Sequence, residues 1–242
     1  MTKSIADISL RKAAIVAGVG YLIIFITGIF SNFFVLENLI VPGDAATTAN
    51  NIMASESLFR IGILSFIIMV IFDVVLAWAF YVLLKPVNKT LSLLSGWLRL
   101  VNGTIFGIAL YNLFSVLQIL SGAEYLKAFG VDQLHAQMMV FLNAFNYTWL
   151  IGLIFFGLHL FVLGYLIFKS DYIPRILGVL LIVASLGYLI DSFANILLPN
   201  YADYEAIFAL IVVVPGIIGE LSLTLWLLLK GAKIPENEAE QI

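Results

Sequence analysis

Charged side chains are scarce in this chain, and four of the groups that could do chemistry stand inside long apolar runs. Asp73 interrupts FIIMVIFDVVLAWAF, Arg99 follows SLLSGWL, His159 sits in IFFGLHLFVLG, and Glu220 lies just after VVVPGIIG. Counted back from the nearest lysine-bearing connection, each falls about 15 Å along its helix, so all four share one depth. A lone charge at the middle of a bilayer costs at least about 2.5–3.5 kcal/mol, and an ionic partner at the same depth removes much of that. Asp73 is therefore expected to be the counter-ion of Arg99 across a tight hairpin centred near Val87. Gly103 and Gly107 continue the Arg99 face and would let a neighbouring backbone approach closely.

Together with Asn102, these residues define an inner polar layer: Asp73, Arg99, Asn102, His159 and Glu220. It has two readings. One is an internal staple that fixes helix register, and the other is a ligand-facing site. Two carboxylates against one obligate cation leave an excess negative charge. That charge must be met by protonated His159, by a protonated carboxyl, or by a bound cation. Pro215-Gly216 lies just before Glu220 and is expected to interrupt the last span, because proline removes the bond to the Ile211 carbonyl. Broken helices beside midplane charges recur at transporter sites. These features predict a cavity lined by His159 and Glu220 and open to the cytoplasmic side, with Arg99 at its wall.

Other chemistries find little support. There is no cysteine, so disulfides and thiolate chemistry are excluded. The two histidines, His135 and His159, form no HExxH motif, and about 36 Å of helix between them excludes joint ligation of one haem. A hydrolytic metal would have only His159, Asp73 and Glu220 to hold it. No serine sits in a nucleophile motif. No catalytic residue, metal site or cofactor is assigned.

A second, outer layer is made of Tyr188, Asp191 and Asn195 at i, i+3 and i+7, with Arg60 as the expected partner of Asp191. Asn143, Asn146 and Tyr147 form another stripe, and Asn146 and His159 lie about 220° apart around their helix. Interhelical hydrogen bonding is the expected role of Arg60, Asp191, Asn195 and Asn146. Trp149 and Trp226 read as packing or interface anchors, and Met138-Met139 as lipid-facing filler.

The elements that position these residues follow from composition. Of 242 residues, 62% are hydrophobic and 11% charged, against about a quarter charged in soluble domains. The chain reads as an all-α polytopic membrane protein, a single domain made of a bundle of six transmembrane helices. The spans lie at about 12–35, 57–84, 90–120, 136–168, 174–198 and 205–229, each near or above the roughly 20 residues a span needs. The first run is too long for a signal-peptide core and lacks a cleavage site, so it reads as an uncleaved span. Asp44, after Pro42-Gly43, can cap a short surface helix through about Ala54. The connection from Ser121 to His135 is a second surface segment, and 231–242 is a short polar tail with acids from Glu236 to Glu240.

Orientation follows from lysine and arginine. Lys3, Arg11, Lys12, Lys85, Lys89, Lys169, Arg175, Lys230 and Lys233 share one side, and Lys127 alone lies on the other. The positive-inside rule puts both termini in the cytoplasm.

The segments LIVPGDAATTANNIMASESLFRIGI, YVLLKPVNKTLSLLSGWLRLV, GLHLFVLGYLIFKSDYIPRILGVLLIVASLGYLIDSF and ELSLTLWLLLKG resemble domain-of-unknown-function family 4386, small bacterial multi-helix membrane proteins. The resemblance covers nearly the whole chain. It implies a bacterial inner-membrane protein and brings no activity, ligand or catalytic residue.

Three functions are weighed. The favoured one is binding or translocation of a small molecule, lipid or ion through the inner layer. A non-catalytic accessory protein and an intramembrane enzyme are the alternatives. The expected partners are the lipid bilayer and a small-molecule or lipid ligand. No basic patch points to nucleic acid, and the oligomeric state is left open.

Overall fold

A computed structural model describes residues 8–234, apart from the side chain of residue 232. Lys3 and the acidic tail from Glu236 to Glu240 lie outside the described residues. The fold is all-α, with no strand among the described residues. Its helices are α1 (Leu10–Ile29), α2 (Glu37–Leu39), α3 (Ala45–Ala54), α4 (Glu56–Leu84), α5 (Lys89–Ile119), α6 (Val131–Lys169), α7 (Arg175–Leu197) and α8 (Glu205–Lys230). A π-helical segment, Phe30–Leu36, joins α1 to α2, giving one continuous rod from Leu10 to Leu39. That rod and α4 to α8 make six helices long and apolar enough to cross a membrane.

Local chemistry sets the ends. Asp44 accepts from the Thr47 amide at 2.9 Å and from its hydroxyl at 2.7 Å, so it caps α3 as its position suggests. Those bonds favour the carboxylate and hold its pKa below the ordinary value. At the α4–α5 hairpin the Val87 amide donates to the Leu84 carbonyl, and Asn88 Oδ1 accepts from the Leu91 amide to start α5. Pro174 occupies the N-cap of α7. Helix α6 starts five residues earlier than the apolar run, at Val131, with the polar residues from Asp132 to Gln137 forming its exposed first turns.

The contacts divide the chain into two compact units. One comprises the described part of Met1–Leu22, Asp73–Asn102 and Leu153–Ile242, and the other Ile23–Phe72 and Gly103–Gly152.

Within the first unit, close helix approaches rest on small residues. Gly164 and Gly178 face each other's carbonyls across the α6–α7 hairpin, with no room for a Cβ at either. Helix α8 stays helical through Pro215, where an interruption was expected. Proline still deprives the Ile211 carbonyl of its donor, and that carbonyl packs directly against Gly187 of α7.

Within the second unit, Trp149 stacks on Phe106 at 3.7 Å between ring centroids, and Phe66 and Phe145 pack around it. Trp149 is a packing residue. Ser31, in the π segment, donates to the Gly62 carbonyl at 2.9 Å. A Cβ on Gly62 would stand 2.8 Å from Val35, so glycine is needed for α4 to meet that segment. Gly107 does not serve a close backbone approach, since a Cβ there would meet Val70 at an ordinary 3.9 Å. Met138 is fully buried, which corrects its reading as lipid-facing filler.

Candidate functional site

The inner layer assembles inside the first unit. Asp73 Oδ1 lies 2.8 Å from Arg99 Nη2, and both side chains are nearly inaccessible, at 3% and 1% exposure. The short turn between α4 and α5 brings this about. It places Asp73 and Arg99 at equal distances, about 15 Å, from the basic ends of their helices. Taking two charges out of water costs several kcal/mol per ion, which their mutual attraction and the further bonds of the Arg99 Nη1 offset in part.

Arg99 meets several further groups through its terminal nitrogens. Its Nη1 donates to the Tyr21 hydroxyl at 3.3 Å and to His159 Nε2 at 3.2 Å. The guanidinium also lies over the Tyr21 ring at 5.0 Å and the Phe156 ring at 5.5 Å, a pair of cation–π contacts. Tyr21 comes from α1 and was not singled out in the sequence. The signal was there: a lone tyrosine at matched depth in an apolar helix.

His159 is fully buried, and its partners fix its state. Nδ1 lies 2.9 Å from the Ser95 carbonyl oxygen, which can only accept. Nε2 faces a guanidinium nitrogen, which can only donate. Nδ1 therefore carries the hydrogen, Nε2 accepts, and the ring is neutral. Of the three expected ways to balance the excess carboxylate, a protonated His159 is overturned by this geometry. Both ring nitrogens are also occupied, so His159 is not free to bind a metal. No cluster of three or more metal-ligating side chains occurs among the described residues. Ser95, Arg99 and Asn102 follow one stripe of α5 at i, i+4 and i+7.

Glu220 approaches from α8. It is 7% exposed, and its Oε1 accepts from the Tyr188 hydroxyl at 2.9 Å. Tyr188 was placed by its position in the outer layer. Long side chains on a helix lean toward its N-terminus, so the ring reaches back to the inner layer. Phe156 meets the Tyr188 ring edge-on at 5.1 Å, and Gly216 leaves just enough space for the hydroxyl. Glu220 is near enough to feel the charges of Arg99 and Asp73, yet no basic nitrogen lies within ion-pair distance of it among the described residues.

Asn102 is the anomaly. It is completely buried, and neither its Oδ1 nor its Nδ2 has a hydrogen-bond partner; Arg99 Nε is likewise unmatched. Buried polar groups are paired in the great majority of cases.

The expected outer layer separates into different contacts. Arg60 Nε pairs with Glu56, one helical turn earlier, at 2.7 Å, and both side chains are more than half exposed. Asp191 instead accepts from the Tyr201 hydroxyl at 2.6 Å, and Asn195 reaches the same hydroxyl. Partial burial, reinforced by the bond to Asp191, pushes the Tyr201 hydroxyl up to about 12. Asn143, Asn146 and Tyr147 lie on the exposed face of α6, not in a helix contact. In the second unit, Ile67, Val70, Ile71, Gly107, Leu110 and Tyr111 line an apolar groove of about 390 Å³. It offers almost no polar surface to orient a polar ligand.

Residues 16–231 match the family described as a domain of unknown function, DUF4386. An uncharacterized protein of Archaeoglobus fulgidus is 34% identical over 174 residues, covering 72% of this chain and 86% of the relative. No solved structure matches. The matched span takes in every residue of the inner layer, and on it the chain belongs to the DUF4386 family.

Proposed function

We propose that this protein binds, and moves across the membrane, a small polar or ionic solute through the inner layer of Asp73, Arg99, Asn102, His159 and Glu220. The observation that carries this reading is the unmatched Asn102 carboxamide, a donor and an acceptor buried without partners. A finished structural staple would leave no such group, because each one costs about 1–3 kcal/mol. A solute presenting one acceptor and one donor would satisfy it. The layer is closed in this conformation, with His159 and Asn102 fully buried, so access requires helix movement. We place the protein in the cytoplasmic membrane with both termini inside. The nine basic residues that share one side support that orientation.

The test is Asn102→Leu, nearly isosteric and apolar. A screen of small amines, sugars, amino acids and lipid headgroups against purified protein should find a compound that raises the melting temperature of wild type. The variant should gain stability without ligand and lose that response. A screen that stabilises wild type and Asn102→Leu equally, or neither, refutes the reading.

A further inference from the structure

The charges of the inner layer do not sum to zero with the groups the protein supplies. Arg99 is matched by Asp73 at 2.8 Å. His159 is held neutral between a carbonyl and a guanidinium. That leaves Glu220, more than nine-tenths buried, with a single hydrogen bond to its carboxyl group: Tyr188 donates to Oε1, and no described group donates to Oε2. The ionisable groups that face it from the neighbouring helices are Tyr188 of α7, Tyr21 of α1, Arg99 of α5 and Asp73 of α4. The two tyrosines bring no positive charge, and Asp73 opposes Arg99. An ionised carboxylate in such a place is met by several kcal/mol of desolvation, and among the described residues only the Tyr188 hydrogen bond, with no ion pair, stands against it.

We infer that Glu220 holds an exchangeable monovalent cation, a proton or an alkali ion, in place of the counter-charge that the protein does not supply. As a proton it sits on Oε2, while Oε1 keeps the Tyr188 bond. No bond rearrangement is needed for it to leave. An alkali ion would take the same oxygen, though hard cations favour several oxygen ligands and few are present here. With the cation on, the layer is neutral; with it off, the layer carries one net negative charge. The Gly216 and Pro215 pair lies one turn away on α8, and a Cβ on Gly216 would stand 3.2 Å from the Tyr188 hydroxyl. The layer thus has two charge states that differ at one residue. This inference stands without the solute site at Asn102, and neither experiment decides the other.

The direct measurement is infrared difference spectroscopy of the full-length protein in lipid vesicles, using protons and sodium ions as the probes. At neutral pH in sodium-free buffer, wild type should show the carbonyl absorption of a protonated carboxyl group. That absorption should be absent in Glu220→Gln, retained in Asp73→Asn, and shifted when the buffer is deuterated. Addition of sodium chloride, against choline chloride at equal ionic strength, separates the two occupants. Loss of the absorption with sodium alone identifies an alkali ion competing with the proton, and persistence identifies the proton. Where Glu220→Gln fails to fold, Tyr188→Phe serves instead, since removing the donor to Oε1 should shift the frequency of the same absorption. No protonated-carboxyl absorption in wild type with or without sodium, or one that does not respond to deuterium, overturns the inference.

Discussion

Removing the charge of Asp73 tests the core of this reasoning. In Asp73→Asn the amide oxygen can still accept from Arg99 Nη2, but the guanidinium loses its only ion-pair partner while remaining 1% exposed. Breaking a buried pair in this way costs about 3–5 kcal/mol. Arg99 keeps Tyr21, His159 and two aromatic faces, so the lower end applies, about 3 kcal/mol. That is more than a hundredfold in the folding equilibrium. Arg99→Gln alone should cost a similar amount, by leaving Asp73 unpaired. The double variant should recover most of the loss, since two neutral amides can bond each other and neither charge is stranded. The assay is reversible denaturation in detergent, read as a double-mutant cycle. A coupling energy of about 2 kcal/mol or more is expected, whereas independent sites add to within about 0.5 kcal/mol. Glu220 feels the charge of Arg99 without an ion pair to it, so the cycle is repeated in Glu220→Gln, where the single-variant losses should be larger. Strict additivity in both backgrounds refutes the pairing argument.

Two further outcomes follow from the packing and the charge distribution. Gly187→Ala would drive a Cβ into the Ile211 carbonyl, and α8 cannot yield locally because that carbonyl is backbone. A loss of about 1–3 kcal/mol in the same denaturation assay is expected, and an unchanged midpoint would show that the two helices do not pack this closely. For the proposed orientation, alkaline phosphatase fused after Asp132 should be active and after Lys89 inactive; the reverse pattern inverts the topology.

How much of this was legible in the residues depends on the range of the forces involved. The six long helices are a local property, set by runs of apolar side chains and by breakers such as Pro42-Gly43, Pro86 and Pro174. The Asp44 cap is equally local, since the acceptor and the amide it satisfies are three residues apart. The Asp73–Arg99 pair was readable for a related reason: a four-residue turn ties the two helices together, so counting along each gives a common depth. Depth alone does not give azimuth. Whether Asn146 faces a neighbour or the exterior, and whether Tyr188 bonds outward or back to Glu220, depends on how each helix is rotated about its axis. That rotation is fixed by distant contacts such as Gly187 against Ile211 and Gly164 against Gly178. Arg60 shows how near a partner can stand: Glu56 pairs with it from one turn away in the sequence. The charge state of His159 lay furthest out of reach. A ring in an apolar run can be neutral or charged, and only the carbonyl of Ser95 on one side and the guanidinium of Arg99 on the other made it neutral. Sequence supplied the inventory of two acids and one arginine; tertiary structure decided which acid pairs with that arginine and which meets only a tyrosine hydroxyl among the described residues.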